Sequence, residues 1–419
     1  EHSATYKQDI TPRYNARDSA IYLARLNNAL VILGSATPSL ESYYNARTGK
    51  YHLLEIMERV DNIKMPDVHI VDMTQKRARV EHKITLFSEI LLQKMRERLQ
   101  RKEQIILLQN RRGYASFMQC PQCGFIPVCP NCDVSLTYHS YNEQLRCHLC
   151  GYQRAAVPDC VNCGGKQIIY KGVGTQRIES ELQQLLPGTR ILRMDQDTTK
   201  GKNSHDEILN IFGAGQADIL LGTQMIAKGL DFGNVTLVGV ISADVGLALP
   251  DFRSGERVFQ LLTQVAGRAG RGSLHGEVVV QSYLCSHFAI QMAKNHDFSG
   301  FYMEEIKHRQ DYKYPPYYRL VQILVSSEKI SDSISTARKI ALDTNRRAAK
   351  YCRVIGPSPA VIAKMNNMYR WQLMIKLNRQ TDPAGKNTKK ILRNILEPYF
   401  TKRTQGVYIT VDVDPQLVQ

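Results

Sequence analysis

The sequence predicts an α/β fold: a parallel sheet with helices on both faces, interrupted by a cysteine-rich metal-binding insertion and followed by a small α+β unit. Three observations carry this. Short apolar, β-branched runs alternate with helical stretches, the pattern of strands buried on both faces. Eight of the ten cysteines fall in one window as four C-x-x-C pairs. The residues from Phe301 onward change character, with 21 Lys and Arg against 10 Asp and Glu, and nine of the 21 Tyr.

Ala29–Leu33 (ALVIL) reads as a buried strand running into the small-residue turn Gly34-Ser35-Ala36-Thr37-Pro38. Gln104–Leu108 (QIILL) is a second such strand, ending at Asn110-Arg111-Arg112-Gly113. Beyond the cysteine window come Ile168–Tyr170, the glycine-broken stretch Gly172-Val173-Gly174-Thr175 and a helix over Gln176–Leu186. Arg190–Arg193, Ile219–Leu221, Thr236–Ile241 and Val278–Gln281 continue the strands. The cysteine window breaks this alternation, so it is an insertion within an α/β domain. Asp297–Pro316 is polar and aromatic and ends in Tyr314-Pro315-Pro316-Tyr317, a junction. After it, strands at Leu320–Ser326, Trp371–Leu377 and Val407–Val413 and helices near Ile334–Ala349 and Lys389–Leu396 make the α+β unit.

Composition bounds the function. A chain of 419 residues fits two to four domains at ~150 residues each. With 43% hydrophobic and 22% charged residues it is globular rather than disordered. No run approaches the ~18 apolar residues of a membrane span, and no charged-then-apolar stretch reads as a leader, so nothing argues for secretion. The chain opens at Glu1 rather than Met, directly in a polar, motif-like stretch, and reads as a piece of a longer protein. The formal charge of +16 favours a polyanionic partner, most simply nucleic acid. Cations for phosphates and flat rings for bases are what single-strand binding uses.

The four pairs are Cys120/Cys123, Cys129/Cys132, Cys147/Cys150 and Cys160/Cys163. A C-x-x-C turn sets two thiolates on one side, and two such turns complete a tetrahedral four-thiolate zinc site. Pro121, Gly124, Pro130, Gly151 and Gly164 supply the turn chemistry. Fourteen residues separate Cys132 from Cys147, close to a zinc ribbon's spacing. The expected pairing is therefore nested, Cys129/Cys132 with Cys147/Cys150 inside and Cys120/Cys123 with Cys160/Cys163 outside; sequential pairing also satisfies the metal. Two zinc ions with no open position would be structural. His139 and His148 read as surface residues, and Cys285 and Cys352 as core.

Gln264-Val-Ala-Gly267-Arg268-Ala-Gly270-Arg271 is the sharpest catalytic signal. On a helix, positions 264, 268 and 271 form one stripe, thinned by Gly267 and Gly270 so that a polyphosphate can approach two guanidiniums and an amide. The segment QVAGRAGR resembles motif VI of superfamily 2 helicases. GSAT (Gly34–Thr37) resembles motif III, and Gly222-Thr-Gln-Met-Ile-Ala-Lys228-Gly229-Leu-Asp231-Phe232 resembles motif V. Glu1-His2 looks like the end of a D-E-x-H box, motif II. A double zinc cluster inside the second motor lobe marks the PriA family of primosomal proteins. ILGSATPSLES, NRRGY, GVGTQRIE, RMDQDTT, LGTQMIAKG, PDFRSGERVFQLLTQVAGRAGR and the terminal VDVDP are similar to that family, over nearly the whole chain.

The resemblance implies a RecA-like helicase lobe using ATP and Mg²⁺ to translocate 3′ to 5′ on single-stranded DNA in replication restart, in the bacterial cytoplasm. It implies that Arg268 and Arg271 reach the γ-phosphate, that Gln264 orders the site near the attacking water, and that Gly229 and Asp231 contribute to nucleotide binding. Ser35 and Thr37 would couple nucleotide to DNA, and Thr223, Gln224 and Lys228 would track the strand. Ser3–Asp18, with Tyr6, Lys7, Arg13, Tyr14 and Arg17, looks like the family's aromatic-rich loop, which senses DNA. Arg370, Trp371 and Lys376 are candidates for binding the acidic tail of the single-stranded-DNA-binding protein, beside branched DNA and helicase-loading partners. The expected divisions are 1–65 (end of lobe 1), 66–118 and 167–297 (lobe 2), 119–166 (cysteine-rich insertion) and 298–419 (DNA- and partner-binding domain).

One departure matters. No G-x-x-x-x-G-K-[ST] loop occurs, so the chain by itself is expected to bind ATP poorly and not hydrolyse it. A fork-recognition and loading scaffold without motor activity, or an RNA-directed zinc-ribbon protein, are the alternatives.

Overall fold

The computed structural model describes residues 1–56, 65–75, 77–80, 83–109, 116–166, 168–170, 174–195, 198–199, 204–227, 232–270, 274–401 and 406–416. Six strands form the central sheet: β1 (Asp67–Asp72), β2 (Gln104–Leu108), β3 (Ile191–Met194), β4 (Ile219–Gly222), β5 (Val235–Val240) and β6 (Glu277–Ser282). Their order is β1-β6-β5-β2-β4-β3, and every neighbouring pair is parallel. The helices are α1 (Ala16–Leu26), α2 (Leu40–Arg47), α3 (Glu89–Gln100), α4 (Thr175–Leu185), α5 (Ser204–Gly213), α6 (Ser254–Ala266), α7 (Phe288–Lys294), α8 (Phe298–Asp311), α9 (Ile330–Ala348) and α10 (Lys386–Thr401), besides a single helical turn at Asp244–Leu247.

Because successive side chains of a strand point to opposite faces, β2 sends Ile105 and Leu107 one way and Ile106 and Leu108 the other. Leu91, Leu92 and Met95 of α3 and Ile178 and Leu182 of α4 cover the first face. Phe212 of α5, Val258, Phe259 and Leu262 of α6 and Ile290 of α7 cover the second. Leu40 and Tyr43 of α2 and Phe301 and Tyr302 of α8 join that second core, so both flanking segments are packed on the lobe.

The insertion is closed at its neck by Phe117–Gln119 pairing antiparallel with Ile168–Tyr170. Ile168–Tyr170, read from sequence alongside the sheet strands, therefore belongs to the insertion's stem. Three short strands, Thr137–His139, Gln144–Arg146 and Gln153–Ala155, make its own sheet.

The carboxy-terminal unit is a four-stranded antiparallel sheet of β7 (Tyr318–Ser327), β8 (Cys352–Met365), β9 (Met368–Asn378) and β10 (Val407–Val413), in the order β8-β9-β7-β10. Ile340 of α9 and Leu392 and Ile395 of α10 cover one face through Ile323, Val325, Leu373 and Ile375. Leu320 and Met374 on the opposite face pack with Leu136, Leu145 and Leu149 of the insertion.

One further expectation is corrected, and one strand was not expected. Ala29–Leu33 forms no strand: Leu30 is 87% and Ile32 84% exposed, because a parallel strand needs a ladder partner and no described strand flanks it. Strand β8 escaped the sequence reading because Gly356, Pro357 and Pro359 look like breakers. It lies at the sheet's edge, where proline is tolerated. Among the described residues no helix is long and apolar enough to cross a membrane.

Candidate functional site

Helix α6 is amphipathic. Val258, Phe259, Leu262 and Val265 enter the core, leaving Gln260 and Gln264 on the stripe that faces the amino-terminal segment. The Gln264 amide Nε2 lies 2.7 Å from His2 Nε2 and 3.5 Å from Thr37 Oγ1. His2 Nδ1 is 2.6 Å from Ser35 Oγ, which accepts the Thr37 N–H at 3.0 Å. His2 bridges the two segments through both ring nitrogens, Nε2 toward the Gln264 amide and Nδ1 toward the Ser35 hydroxyl. Residues 2, 35, 37 and 264 thus meet in one hydrogen-bonded chain, with Thr37 fully buried.

The helical stripe expected through position 271 does not form. Helix α6 ends at Ala266 with Gly267 as its cap, and Arg268 sits half-buried in the turn beyond. Gly270 has φ +67°, its N–H donates to Val235 O at 3.1 Å, and a Cβ there would stand 2.4 Å from Gly276 N. Gly270 therefore meets a backbone demand of its own, a left-handed φ and the close approach of Gly276. Arg271 lies outside the described residues, as do Lys228, Gly229 and Asp231. Thr223 and Gln224 are half-buried at the carboxyl end of β4, where open α/β sheets place ligands.

At its other end α6 anchors a buried ionic knot. Arg309 of α8, 1% exposed, bonds Glu256 Oε2 at 2.7 Å and Glu305 Oε1 at 3.0 Å, with Glu41 at 3.5 Å. Glu256 Oε1 accepts the Leu40 N–H at 3.0 Å. Arg253 bonds Glu41 at 2.9 Å and the Pro415 carbonyl at 3.1 Å. Burial would raise Glu41, but Arg253 and Arg309 outweigh it and hold its carboxyl down to about 2. For Glu305 burial wins over Arg309, and its carboxyl is pushed up to about 7.

The aromatic-rich loop divides its residues. Tyr6 and Tyr14 are 46% and 47% exposed. Arg17 faces inward instead, bonding Glu1 Oε2 at 2.9 Å and Ser39 Oγ at 3.0 Å. Burial raises the Glu1 carboxyl, but the Ser39 N–H and Arg17 reverse this and hold it below its ordinary value. Lys7 is buried against the carboxy-terminal unit, with Nζ 2.7 Å from Asp412 Oδ1, and Arg13 lies 3.5 Å from Oδ2.

The thiolates gather in two groups, Cys120, Cys123, Cys160 and Cys163, and Cys129, Cys132, Cys147 and Cys150, the nested arrangement. Closest Sγ pairs are 3.5 Å (Cys120–Cys163), 3.6 Å (Cys123–Cys160) and 3.6 Å (Cys129–Cys150). A zinc tetrahedron with ~2.3 Å bonds has edges near ~3.8 Å, so both groups fit the ion. The residue after each second cysteine (Gly124, Asp133, Gly151, Gly164) is left-handed, and its N–H donates to the first cysteine's carbonyl. That repeated position is visible in the sequence as glycine in three of the four knuckles.

His148 is not a surface residue. It is 2% exposed, with Nδ1 3.0 Å from Pro359 O and Nε2 3.0 Å from His139 Nε2, because β8 packs over the inner knuckle. Tyr314, which no motif pointed to, ties three units. Its hydroxyl donates to Cys132 O at 2.8 Å, its ring stacks on Phe252 at 4.3 Å, and Lys376 Nζ lies 3.5 Å over it. Lys376 is therefore occupied, and its Nζ also donates to Tyr312 O at 2.6 Å. Alternation along β9 puts Trp371 on the helix-covered face and the buried Arg370 and Lys376 on the other, so the three do not share a surface.

Three family models match: Primosomal protein N C-terminal domain over residues 310–416, PriA DNA helicase Cys-rich region over 129–154, and Helicase conserved C-terminal domain over 154–273. The chain is 45% identical over its whole length to Replication restart protein PriA of Bacillus subtilis, covering 51% of that protein. It is 40% identical to the Chlamydia pneumoniae protein of the same name over 99% of this chain and 55% of the relative. The Synechocystis one is 39% identical over 99% of this chain and 50% of its own length. The chain thus spans about half the length of these curated relatives. With helicase, cysteine-rich and carboxy-terminal matches together on a chain aligned throughout, this protein belongs to the PriA family.

Proposed function

We propose that the protein carrying this chain is an ATP-dependent DNA helicase of the bacterial cytoplasm. It moves 3′ to 5′ on single-stranded DNA, recognises stalled or branched forks and starts primosome assembly for replication restart. Single-stranded-DNA-binding protein and helicase-loading proteins are its partners. The observation that carries this reading is the His2–Gln264–Thr37–Ser35 chain, which joins three motif segments from distant parts of the sequence in one polar contact. A random coincidence of motif strings would not fold into mutual hydrogen bonds.

Bound ATP with Mg²⁺ would supply the phosphoryl chemistry. As the family resemblance implies, Gln264, Arg268 and Arg271 would act on the nucleotide's γ-phosphate, and Gly229 and Asp231 would contribute to nucleotide binding. Gln264 bonds the His2 ring, which bonds Ser35, so a change in this contact would be passed to Ser35 and Thr37 and on toward DNA. The eight thiolates would hold two zinc ions as structural cross-links, with no position left for chemistry. The exposed apolar residues Leu23, Leu26, Leu30, Ile32, Leu54 and Ile56 are the surface on which the remainder of a first lobe would pack.

DNA-stimulated ATP hydrolysis by the full-length protein tests the reading. Arg268→Ala should lower kcat by about 10³-fold or more, as loss of an arginine finger does. Retained turnover in that variant would overturn the reading, and turnover by the 419-residue chain alone would overturn the expectation that the chain by itself does not hydrolyse ATP.

A further inference from the structure

The aromatic-rich loop offers rings to solvent while its cations are already engaged. The Lys7 side chain is 4% exposed; Nζ meets Asp412 Oδ1 at 2.7 Å and donates to the carbonyls of Val413 at 2.7 Å and Arg13 at 3.1 Å. Arg13 stands 3.5 Å from the other Asp412 oxygen. A backbone bridge between Lys7 and Asn15, and the Gln8 N–H to Tyr14 O bond at 3.0 Å, close the loop into a hairpin. Its exposed large apolar side chains are Tyr6, Ile10 and Tyr14, beside the exposed Asp9, Thr11 and Pro12. The carboxylate belongs to β10, the outer strand of its sheet, so the loop lies against an open sheet edge. The residues that follow it reach α6: Pro415 O and Gln416 O accept from Arg253 and Arg257.

We propose that Asp412 is a positioning residue that occupies the place of a backbone phosphate. While the loop is docked on β10, Asp412 keeps Lys7 and Arg13 away from nucleic acid. A single strand stacking on Tyr6 and Tyr14 takes those cations over, and the loop leaves the edge. A carboxylate and a phosphate are alternative anionic partners for the same cations, and each oxygen of Asp412 faces one of them, Lys7 at 2.7 Å and Arg13 at 3.5 Å. The loop starts just after His2, so undocking pulls on the residue that bonds Gln264. The inference rests on the helicase reading for what is gained, but not for the clasp itself.

The test uses the full-length protein with oligothymidylate, its affinity measured against salt concentration. Each phosphate neutralised on a single strand contributes about 0.7 to the slope of log K against log salt. Asp412→Asn should steepen that slope by about 0.7 to 1.4 and tighten binding several-fold at low salt. Lys7→Met/Asp412→Asn, which leaves no buried charge unpaired, frees only Arg13 and should steepen it by about 0.7. Folded variants with the wild-type slope overturn the proposal. A steepened slope in a protein whose ATPase ignores DNA would support the clasp while removing the motor reading.

Discussion

The inner thiolate group has Cys129, Cys132 and Cys147 buried to 1% or less, whereas the outer group leaves Cys163 exposed. Both use the same four-thiolate set and the same left-handed turn. Around the inner group, the Cys132 carbonyl takes the Tyr314 hydroxyl and Asp133 lies 3.3 Å from His308 Nδ1. The His148 carbonyl accepts from Ser358 at 2.5 Å and Gln372 at 2.6 Å. Around the outer group, Gly124 presses on Tyr283 O, where a Cβ would stand 2.2 Å away, and Gly164 meets nothing within 4 Å. Ligand chemistry decides which metal fits; the neighbours decide what the metal holds together. The inner ion would join insertion, lobe and carboxy-terminal sheet, and the outer one would close a protruding knuckle.

The largest way to break this contrast is Cys132→Ser. It should reduce bound zinc from two ions to one and cost about 4 kcal/mol or more, because the knuckle under Tyr314 collapses. Zinc analysis with thermal unfolding reads both effects; a loss no greater than that of Cys163→Ser would erase the distinction. Next, Tyr314→Leu should cost about 2–4 kcal/mol through the lost stack and hydroxyl bond, with both ions retained.

Acid gives a third handle. His287 caps α7 by accepting the Ala289 N–H at Nδ1, 3.2 Å away, and its ring runs through Phe288 to His308, beside Asp133. Burial, with help from His308, lowers its imidazole to about 4. A folded value below the unfolded ~6.5 means that the stability is whole above pH 6.5 and is lost as pH falls toward 4. The loss is up to about 3 kcal/mol, and His287→Gln should flatten that part of the pH–stability curve. The smallest contrast separates two outer knuckles. Gly164→Ala should cost about 1 kcal/mol for its left-handed backbone alone, and Gly124→Ala about 3 kcal/mol, since the Tyr283 carbonyl has to move. Equal costs for the two would show that Gly124 is not wedged against the lobe.

What the sequence made legible was local. Four C-x-x-C pairs declare themselves because ligand spacing and turn glycines lie within a few residues of each other. The strands of the main sheet are readable because burial on both faces leaves an unbroken apolar run, as in Gln104–Leu108. What stayed hidden was set at long range. His148 is covered by Pro359, 211 positions away, and Lys7 by Val413, 406 positions away. Nothing near either residue announces its burial. The motif around Gln264 was read as one continuous helix because its glycines were assigned to a ligand, whereas the backbone itself needs Gly270 for a left-handed φ.

The Glu256 carboxylate divides its two oxygens between the Leu40 N–H and Arg309. Water cannot replace either bond at a group this deeply enclosed, so pulling the amino-terminal segment straight off α6 would strand a charge. Arg253–Glu41 and His2–Gln264 would part in the same step. The joint between these segments is thus built as an anchor, which lets go all at once or not at all.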